Sequence, residues 1–385
     1  MELFAGAGGL ALGIQKAGFE SLATLEWNRW ACDTMRENKA AGHPLVKAWN
    51  VFQGDVRSFD WSSLPESVDL VSGGPPCQPF SAGGRGRSVD DERDMFPATA
   101  EILAELRPKA FLIENVRGLT RWAFADYYEY VLRRLESPEL KSQPDEAWFS
   151  HLERLRGVKS STGLHYDVYP TLLDAADFAV PQQRHRVFMV GFRSDLGVSW
   201  QFPDPTHSRK ELMRAQWVTG EYWDEHRVPK SKRPEPPSRG SIARLNTLPT
   251  DGLARWRTLR DALVGLPDPE SRSAAKIRNH SPQPGARSYD GHTGSDLDLP
   301  AKTLKAGTHG VPGGENMIRF RDGSVRYLTV RESARVQTFP DDYELHGAWG
   351  EAMRQLGNAV PVTLAETVAR SIYRTLVPPH EEGSR

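Results

Sequence analysis

The 385 residues suffice for two domains, or for one with a large elaboration, and can bury a core without disulfide or metal staples. A hydrophobic share of 38% with 11 Trp and 15 Phe excludes wholesale disorder, no apolar run approaches the ~20 residues that span a bilayer, and Met1-Glu2-Leu3-Phe4-Ala5-Gly6 is no secretory signal. Two cysteines exclude a disulfide framework or a Cys-based zinc site and fit a cytoplasmic setting, while 49 Lys plus Arg against 50 Asp plus Glu leave a net charge of −1 with no global sign of nucleic acid.

Met1 to Phe4 reads as a strand running straight into the glycine-rich turn Ala5-Gly6-Ala7-Gly8-Gly9. Leu10, Ile14 and Ala17 then recur at helical spacing, and Gly18 is placed to close the helix. Four further strands are expected. They are Ser21 to Leu25, ending at Glu26-Trp27; Ala48 to Phe52, ending near Gly54-Asp55; Val68 to Val71, running into Ser72-Gly73-Gly74-Pro75-Pro76-Cys77; and Ala110 to Ile113, ending at Glu114-Asn115. Strands alternating with helices predict an α/β fold with a doubly wound, mostly parallel, Rossmann-like sheet. Ligands of such sheets sit beyond the carboxyl ends of the strands, where these polar residues fall.

Residues 120–165 are helix-like and charged and read as an insertion. A strand from Val187 to Phe192 follows Pro181-Gln182-Gln183-Arg184-His185-Arg186. Residues 203–312 hold 13 of the 28 prolines and show no long helical period, which predicts a loop-rich second domain. Residues 206–290 carry 16 Lys/Arg against 10 Asp/Glu, an excess of six that suits either a polyanion-binding face or a solvated surface. Pro361 opens a last helix with Leu364, Val368, Ile372 and Leu376 on one stripe. The domain boundaries so read are 1–195 for a catalytic and cofactor-binding domain, 196–325 for a target-recognition domain, and 326–385 for a segment returning to the first.

The turn Phe4-Ala5-Gly6-Ala7-Gly8-Gly9 lets backbone approach a ligand closely, but its spacing is not the GxGxxG of a pyrophosphate binder. It points to a smaller nucleoside ligand. Glu26 is placed to accept from ribose hydroxyls and Asp55 from an adenine amino group; strand-end carboxylates also cap helices, so neither is diagnostic alone. In Pro75-Pro76-Cys77-Gln78-Pro79-Phe80-Ser81 two prolines stiffen the chain ahead of a single thiol. Cys32, within a helical stretch, reads as a small buried hydrophobe. Cys77 reads as a nucleophile that needs a lowered pKa or a base, with Arg184, Arg186 and Glu114 as its candidate partners. No metal site is expected.

These segments, in this order, resemble the C5-cytosine DNA methyltransferases. The resemblance runs through Leu3 to Gly9, Glu26-Trp27, Gly54-Asp55-Val56, Gly73 to Ser81, Glu114-Asn115-Val116, Pro181 to Arg186, Arg326 to Glu332 and Gln355 to Val360. It covers nearly the whole chain except 120–165 and 203–312. It implies that Cys77 attacks C6 of a flipped-out cytosine in duplex DNA, that Glu114 hydrogen-bonds N3 and the amino group, and that Arg184 and Arg186 orient the base. It implies S-adenosylmethionine as cofactor, held by Phe4, Ala5, Gly6, Gly8, Gly9, Glu26, Trp27, Asp55, Val56, Gly74, Pro76, Asn358 and Ala359. The last helix should pack beside the cofactor loop. The segments Lys302 to Gly307 and Gly313 to Asn316 should read bases or contact backbone. A monomeric, nucleoid-associated modification enzyme with a cognate restriction endonuclease is the expected setting. Met1 falls inside the first strand, where family members carry preceding residues, so a shortened strand or an upstream start is expected.

An amino-methyltransferase would carry an aromatic residue where Cys77 stands, and a cysteine hydrolase would need a recognisable His partner. A tRNA cytosine-C5 methyltransferase of the same family would have a shorter segment than 203–312. A catalytically silent DNA-binding module would have no need of Cys77, Glu114 and Arg184.

Overall fold

The computed structural model describes residues 1–65, 67–76, 94–158, 163–290, 293–306 and 314–377. The chain divides into two units. The first holds Met1–Leu173, His185–Pro203 and Ala365–Arg385; the second holds Asp174–Arg184 and Asp204–Leu364.

The first unit is built on seven strands, β1 (Glu2–Leu3), β2 (Thr24–Glu26), β3 (Val51–Gln53), β4 (Leu70–Gly73), β5 (Ala110–Val116), β6 (Tyr166–Asp174) and β7 (His185–Arg193), in the order β3-β2-β1-β4-β5-β7-β6. β1 to β5 pair in parallel and β7 runs antiparallel to β5. The apolar runs read from sequence are these strands, displaced by one to three residues toward the carboxyl end at β2, β3 and β4. Leu3, Leu25, Val71, Phe111, Ile113, Val187 and Met189 lie in one buried cluster.

Helix α1 (Gly9–Ala17) closes at Gly18, as its spacing predicts, and α2 (Arg29–Ala40) starts at Asn28, whose side chain accepts from the Ala31 N–H. α3 (Phe96–Leu106) precedes β5. α4 (Ala125–Glu136) and α5 (Trp148–Arg156) follow it, and α4 corrects the reading of 120–165 as an insertion. Tyr127, Tyr130, Val131 and Leu135 of α4 are buried in the same cluster as the sheet residues, so this helix is part of the core of the first unit. β6 is not legible in the sequence because Pro170 interrupts its run. Proline is tolerated there because β6 is the outer strand and one missing donor costs no ladder bond inside the sheet.

The last helix, Val362–Leu376, buries Leu364, Val368 and Ile372 as its stripe predicts. From Ala365 onward it belongs to the first unit and packs on α1. Lys16 pairs with Glu366 at 2.7 Å, and the Tyr373 ring meets Phe19 edge-on at 5.1 Å.

The second unit contains short helices, among them Arg209–Trp217 and Val330–Val336, and a sheet of Ser295–Asp296, Met317–Arg319 and Val325–Tyr327. Two apolar clusters hold it, one around Leu212, Tyr222, Trp223 and Trp256, the other around Leu259, Leu304, Ile318, Leu328 and Val336. Residues 326–364 group with this unit and not with the first, which shifts the expected domain boundary at 326. The cause is local. Val325–Tyr327 pairs with Met317–Arg319, and the following helix is opened by a capping box in which Thr329 and Glu332 exchange bonds.

Candidate active site

The strand order of the first unit reverses between β1 and β4, and at such a point the loops leaving two neighbouring strands part to form a crevice. The loops here are Phe4 to Gly9 and Gly74-Pro75-Pro76. Phe4 and Gly6 take left-handed backbone, with φ of 53° and 56°, and Gly8 follows with φ 84° as the residue before α1. A non-glycine residue in that region stores strain of order 1–3 kcal/mol, which the surroundings must offset.

Glu26 does so. Its carboxylate accepts the Gly6 N–H at 2.7 Å and the Asn28 N–H at 2.7 Å, while its carbonyl accepts the Gly54 N–H at 3.0 Å and the Cys32 thiol at 3.3 Å. One residue at the end of β2 therefore ties together the turns after β1, β2 and β3. Burial raises the Glu26 pKa against the opposing pull of these N–H donors. Trp27 beside it is 75% exposed, with its ring open to a planar partner. Val56 is buried. Asp55 is engaged by Arg57, whose Nε and Nη2 reach its two oxygens at 3.0 and 2.6 Å, and this pairing holds its carboxyl below the usual range. A Cβ added at Gly6 would meet no atom within 4 Å, so space stands open beside the turn. Phe4, Trp27, the buried Val56 and the carboxylates of Glu26 and Asp55 thus all stand at or just beyond the ends of β1, β2 and β3.

The second half of the crevice is made by β4, β5 and β7. The Arg186 Nε donates to Glu114 Oε1 at 2.8 Å, and both side chains are nearly buried. Burial lowers the Arg186 pKa and the Glu114 charge opposes that fall. The other carboxylate oxygen of Glu114 faces Gly74, where an added Cβ would lie 3.1 Å from Oε2. Asn115, a position the sequence reading did not single out as a site residue, donates from Nδ2 to the Pro75 carbonyl at 3.0 Å. It anchors the backbone two residues before Cys77. Its adjacency to Glu114 is the only signal in the sequence that could have marked it. Cys77 itself lies outside the described residues. Cys32 is buried as expected, and burial pushes its thiol up to about 12, which excludes it as a nucleophile near neutral pH.

Arg184 belongs to the second unit and is fully buried. Its Nη1 donates to the Leu304 carbonyl at 3.0 Å and its Nη2 to the Gly357 carbonyl at 2.6 Å. Arg184 therefore organises backbone within the second unit. Gln182 supplements it, accepting the Leu304 N–H at 2.9 Å and donating to Gln337, which in turn donates to the Ala359 carbonyl at 3.3 Å. Asn358 ends the helix Trp349–Asn358 with its side chain exposed, and Ala359 is buried. Two segments expected to touch DNA are in part interior. Leu304 is buried, and the buried Asn316 clamps Lys305, accepting its N–H at 3.1 Å and donating to its carbonyl at 3.0 Å. Gly307 and Gly313 lie outside the described residues.

Comparison with known proteins places the chain in a family. The family model of the C-5 cytosine-specific DNA methylases matches residues 1–141 and 156–374. The chain belongs to this family. Type II methyltransferase M.PspPI of a Psychrobacter strain is 33% identical over 382 residues, spanning 98% of this chain and 79% of that protein. Type II methyltransferase M.NgoPII of Neisseria gonorrhoeae is 30% identical over 382 residues, spanning 98% and 95%. Among solved structures, a protein described as a DNA modification methyltransferase encoded within an E. coli prophage superposes with a TM-score of 0.55 at 22% identity, over 97% of this chain and 98% of that one. The Dnmt2 methyltransferase of S. pombe superposes with a TM-score of 0.56 at 16% identity over the same shares, a likeness of fold. The methylase model includes α4 and omits 142–155, so what this chain adds to the family pattern in that region is α5 and the loop before it. Among the described residues no helix is long and apolar enough to cross a membrane.

Proposed function

We propose that this methylase modifies C5 of a cytosine flipped out of a specific duplex DNA sequence, through a covalent bond between Cys77 and C6. The observation that carries the reading is the buried Glu114–Arg186 pair facing Gly74, next to the backbone that Asn115 fixes ahead of Cys77. An unactivated C5 is a poor nucleophile. Addition of the Cys77 thiolate to C6 breaks the C5–C6 double bond and turns the ring into an enamine, with its charge drawn toward N3. A proton carried by the Glu114 carboxyl and donated to N3 takes up that charge, a carboxyl oxygen accepts from the amino group, and Arg186 fixes the carboxyl in place. S-adenosylmethionine, when bound, supplies the electrophilic methyl that C5 takes up. Loss of the C5 proton to a base and departure of the Cys77 thiolate then restore the double bond. The target atom is inaccessible within a duplex, so the base must leave the stack at a few kcal/mol.

Phe4, Trp27 and Val56 are the apolar walls for the adenine, with Asp55 at its amino group and Glu26 at the ribose. Ala5, Gly6, Gly8 and Gly9 supply backbone at the turn, Gly74 and Pro76 border the reacting end, and Asn358 and Ala359 serve the methionine end. Arg184 positions the backbone of Leu304 and Gly357. The relatives named as Type II methyltransferases support a role in restriction–modification. On that reading the enzyme acts as a monomer in the cytoplasm, at the nucleoid, and protects sites that a cognate endonuclease would cut.

DNA carrying 5-fluorocytosine at the target tests the mechanism, because fluorine cannot leave C5 as a proton does. A denaturant-stable protein–DNA adduct should form only with S-adenosylmethionine present. Cys77→Ala should abolish both adduct and methylation, whereas Cys32→Ala should leave trapping unchanged. An adduct that survives Cys77→Ala, or methylation of an exocyclic amino group, would overturn the reading.

A further inference from the structure

β5 carries Glu114 and then runs into two consecutive 3-10 turns, Arg117–Thr120 and Trp122–Phe124. This stretch is anchored at both ends and open in the middle. Leu119 is buried in the core of the first unit and Phe124 packs against it. The Arg121 N–H donates to the Gly118 carbonyl at 3.3 Å, the Phe124 N–H to the Arg121 carbonyl at 2.8 Å, and the Thr120 hydroxyl to the Arg117 carbonyl at 3.0 Å. Between the anchors Trp122 stands 93% exposed, flanked by exposed Arg117 and Arg121. Neither guanidinium has an ionic or hydrogen-bond partner among the described residues. From Asn115 to Ala125 the chain has no acidic residue; the first, Asp126, is already 3.5 Å from Arg156.

A fixed indole with nothing against it gains nothing for the fold, and two unpaired arginines on one short loop repel each other by a small amount. The same three groups suit a partner with alternating charge and apolar surface. A nucleic-acid backbone is such a partner, with phosphates spaced by sugar faces. The loop also leaves the sheet at the edge that carries Glu114: Val116 pairs with Arg186 in the β5–β7 ladder, and Arg117 follows at once.

We infer that Arg117, Arg121 and Trp122 form a sequence-independent contact with the DNA backbone beside the target base. The two arginines neutralise phosphates and Trp122 lies on the sugar face between them. The inference rests on the DNA-methylating function proposed above, and adds to it a loop of the first unit that holds duplex without reading it.

The test uses the full-length enzyme and a fluorescein-labelled duplex of random sequence, followed by anisotropy between 50 and 200 mM salt. The Arg117→Gln/Arg121→Gln variant should bind roughly tenfold more weakly at the low-salt end, with the slope of log affinity against log salt reduced by about two. Trp122→Ala should weaken binding severalfold with the slope unchanged. Both should raise KM for DNA and leave kcat within about twofold, and Arg117→Lys/Arg121→Lys should restore the salt slope. Wild-type affinity, slope and KM in the glutamine variant would overturn the inference, even in an enzyme that methylates DNA normally. So would dissociation of a dimer by Trp122→Ala, which would make the loop an interface between copies. A wild-type enzyme that fails to methylate any cytosine would instead strike at the proposed function.

Discussion

Glu2 is a carboxyl group placed in the middle of an apolar strand. It is buried, accepts the Ser72 hydroxyl at 2.8 Å, and burial raises its pKa to about 8. At neutral pH the folded protein therefore holds it protonated, whereas the unfolded chain has lost that proton above its ordinary value of 4.5. The folded state binds the extra proton, so Glu2 favours folding fully below about 4.5 and loses that contribution as pH rises through about 8. Glu2→Gln keeps the shape and an acceptor for Ser72 but cannot ionise. Denaturant melts at pH 5 and pH 8.5 should show the variant gaining on wild type as pH rises, by on the order of a few kcal/mol. A gap independent of pH would mean that Glu2 does not hold its proton.

Glu26 braces the fold, and the proposed function gives it the cofactor's ribose as well. In Glu26→Ala the N–H groups of Gly6 and Asn28 lose their acceptor, so a loss of stability of about 1–3 kcal/mol should accompany weaker S-adenosylmethionine binding. Calorimetry on the cofactor and thermal melts on the apoenzyme separate the two, and unchanged values in both would remove Glu26 from the site. The sequence placed this residue correctly at a strand end, yet could not show that the strained backbone at Phe4 and Gly6 leans on it, because that bond spans 20 residues.

At the scale of elements, the strands at the switch point were legible because their apolar runs are short, continuous and end in polar residues. α1 was legible through its period and its closing glycine. Three features were not. β6 is interrupted by Pro170, the packing of the helical α4 into the core is masked by its charged outer face, and the buried Asn316 and Leu304 sit in what reads as an ordinary loop. The same scale decides what Asn115 does. If its bond to the Pro75 carbonyl fixes the loop that bears Cys77, Asn115→Ala should lower kcat by at least tenfold while leaving S-adenosylmethionine affinity near wild type. A variant with full activity would show that this loop needs no such anchor.

For the whole molecule, the proposed function assigns chemistry and recognition to different units. Residues 1–173 and 185–203 hold Glu114, Arg186 and the turns after β1, β2 and β3, while the basic, proline-rich stretch lies in the second unit. Exchanging roughly residues 204–300 for the matching stretch of a relative should change which sequence is methylated and leave the product as 5-methylcytosine, read by bisulfite sequencing. An active hybrid that keeps the original target would place recognition elsewhere. The exchange should stop short of Leu304, since Arg184 and Asn316 hold that segment from outside the exchanged stretch.

The last helix has a consequence in time. Helix α1, which begins at the ninth residue, is completed by a partner that leaves the ribosome only with residues 365–376. At roughly 5–20 residues per second, the N-terminal unit must wait on the order of tens of seconds for its final layer while the second unit is made and folds between its pieces. A prematurely ended chain would thus lack part of the very unit that does the chemistry, however much of the catalytic sequence it contained.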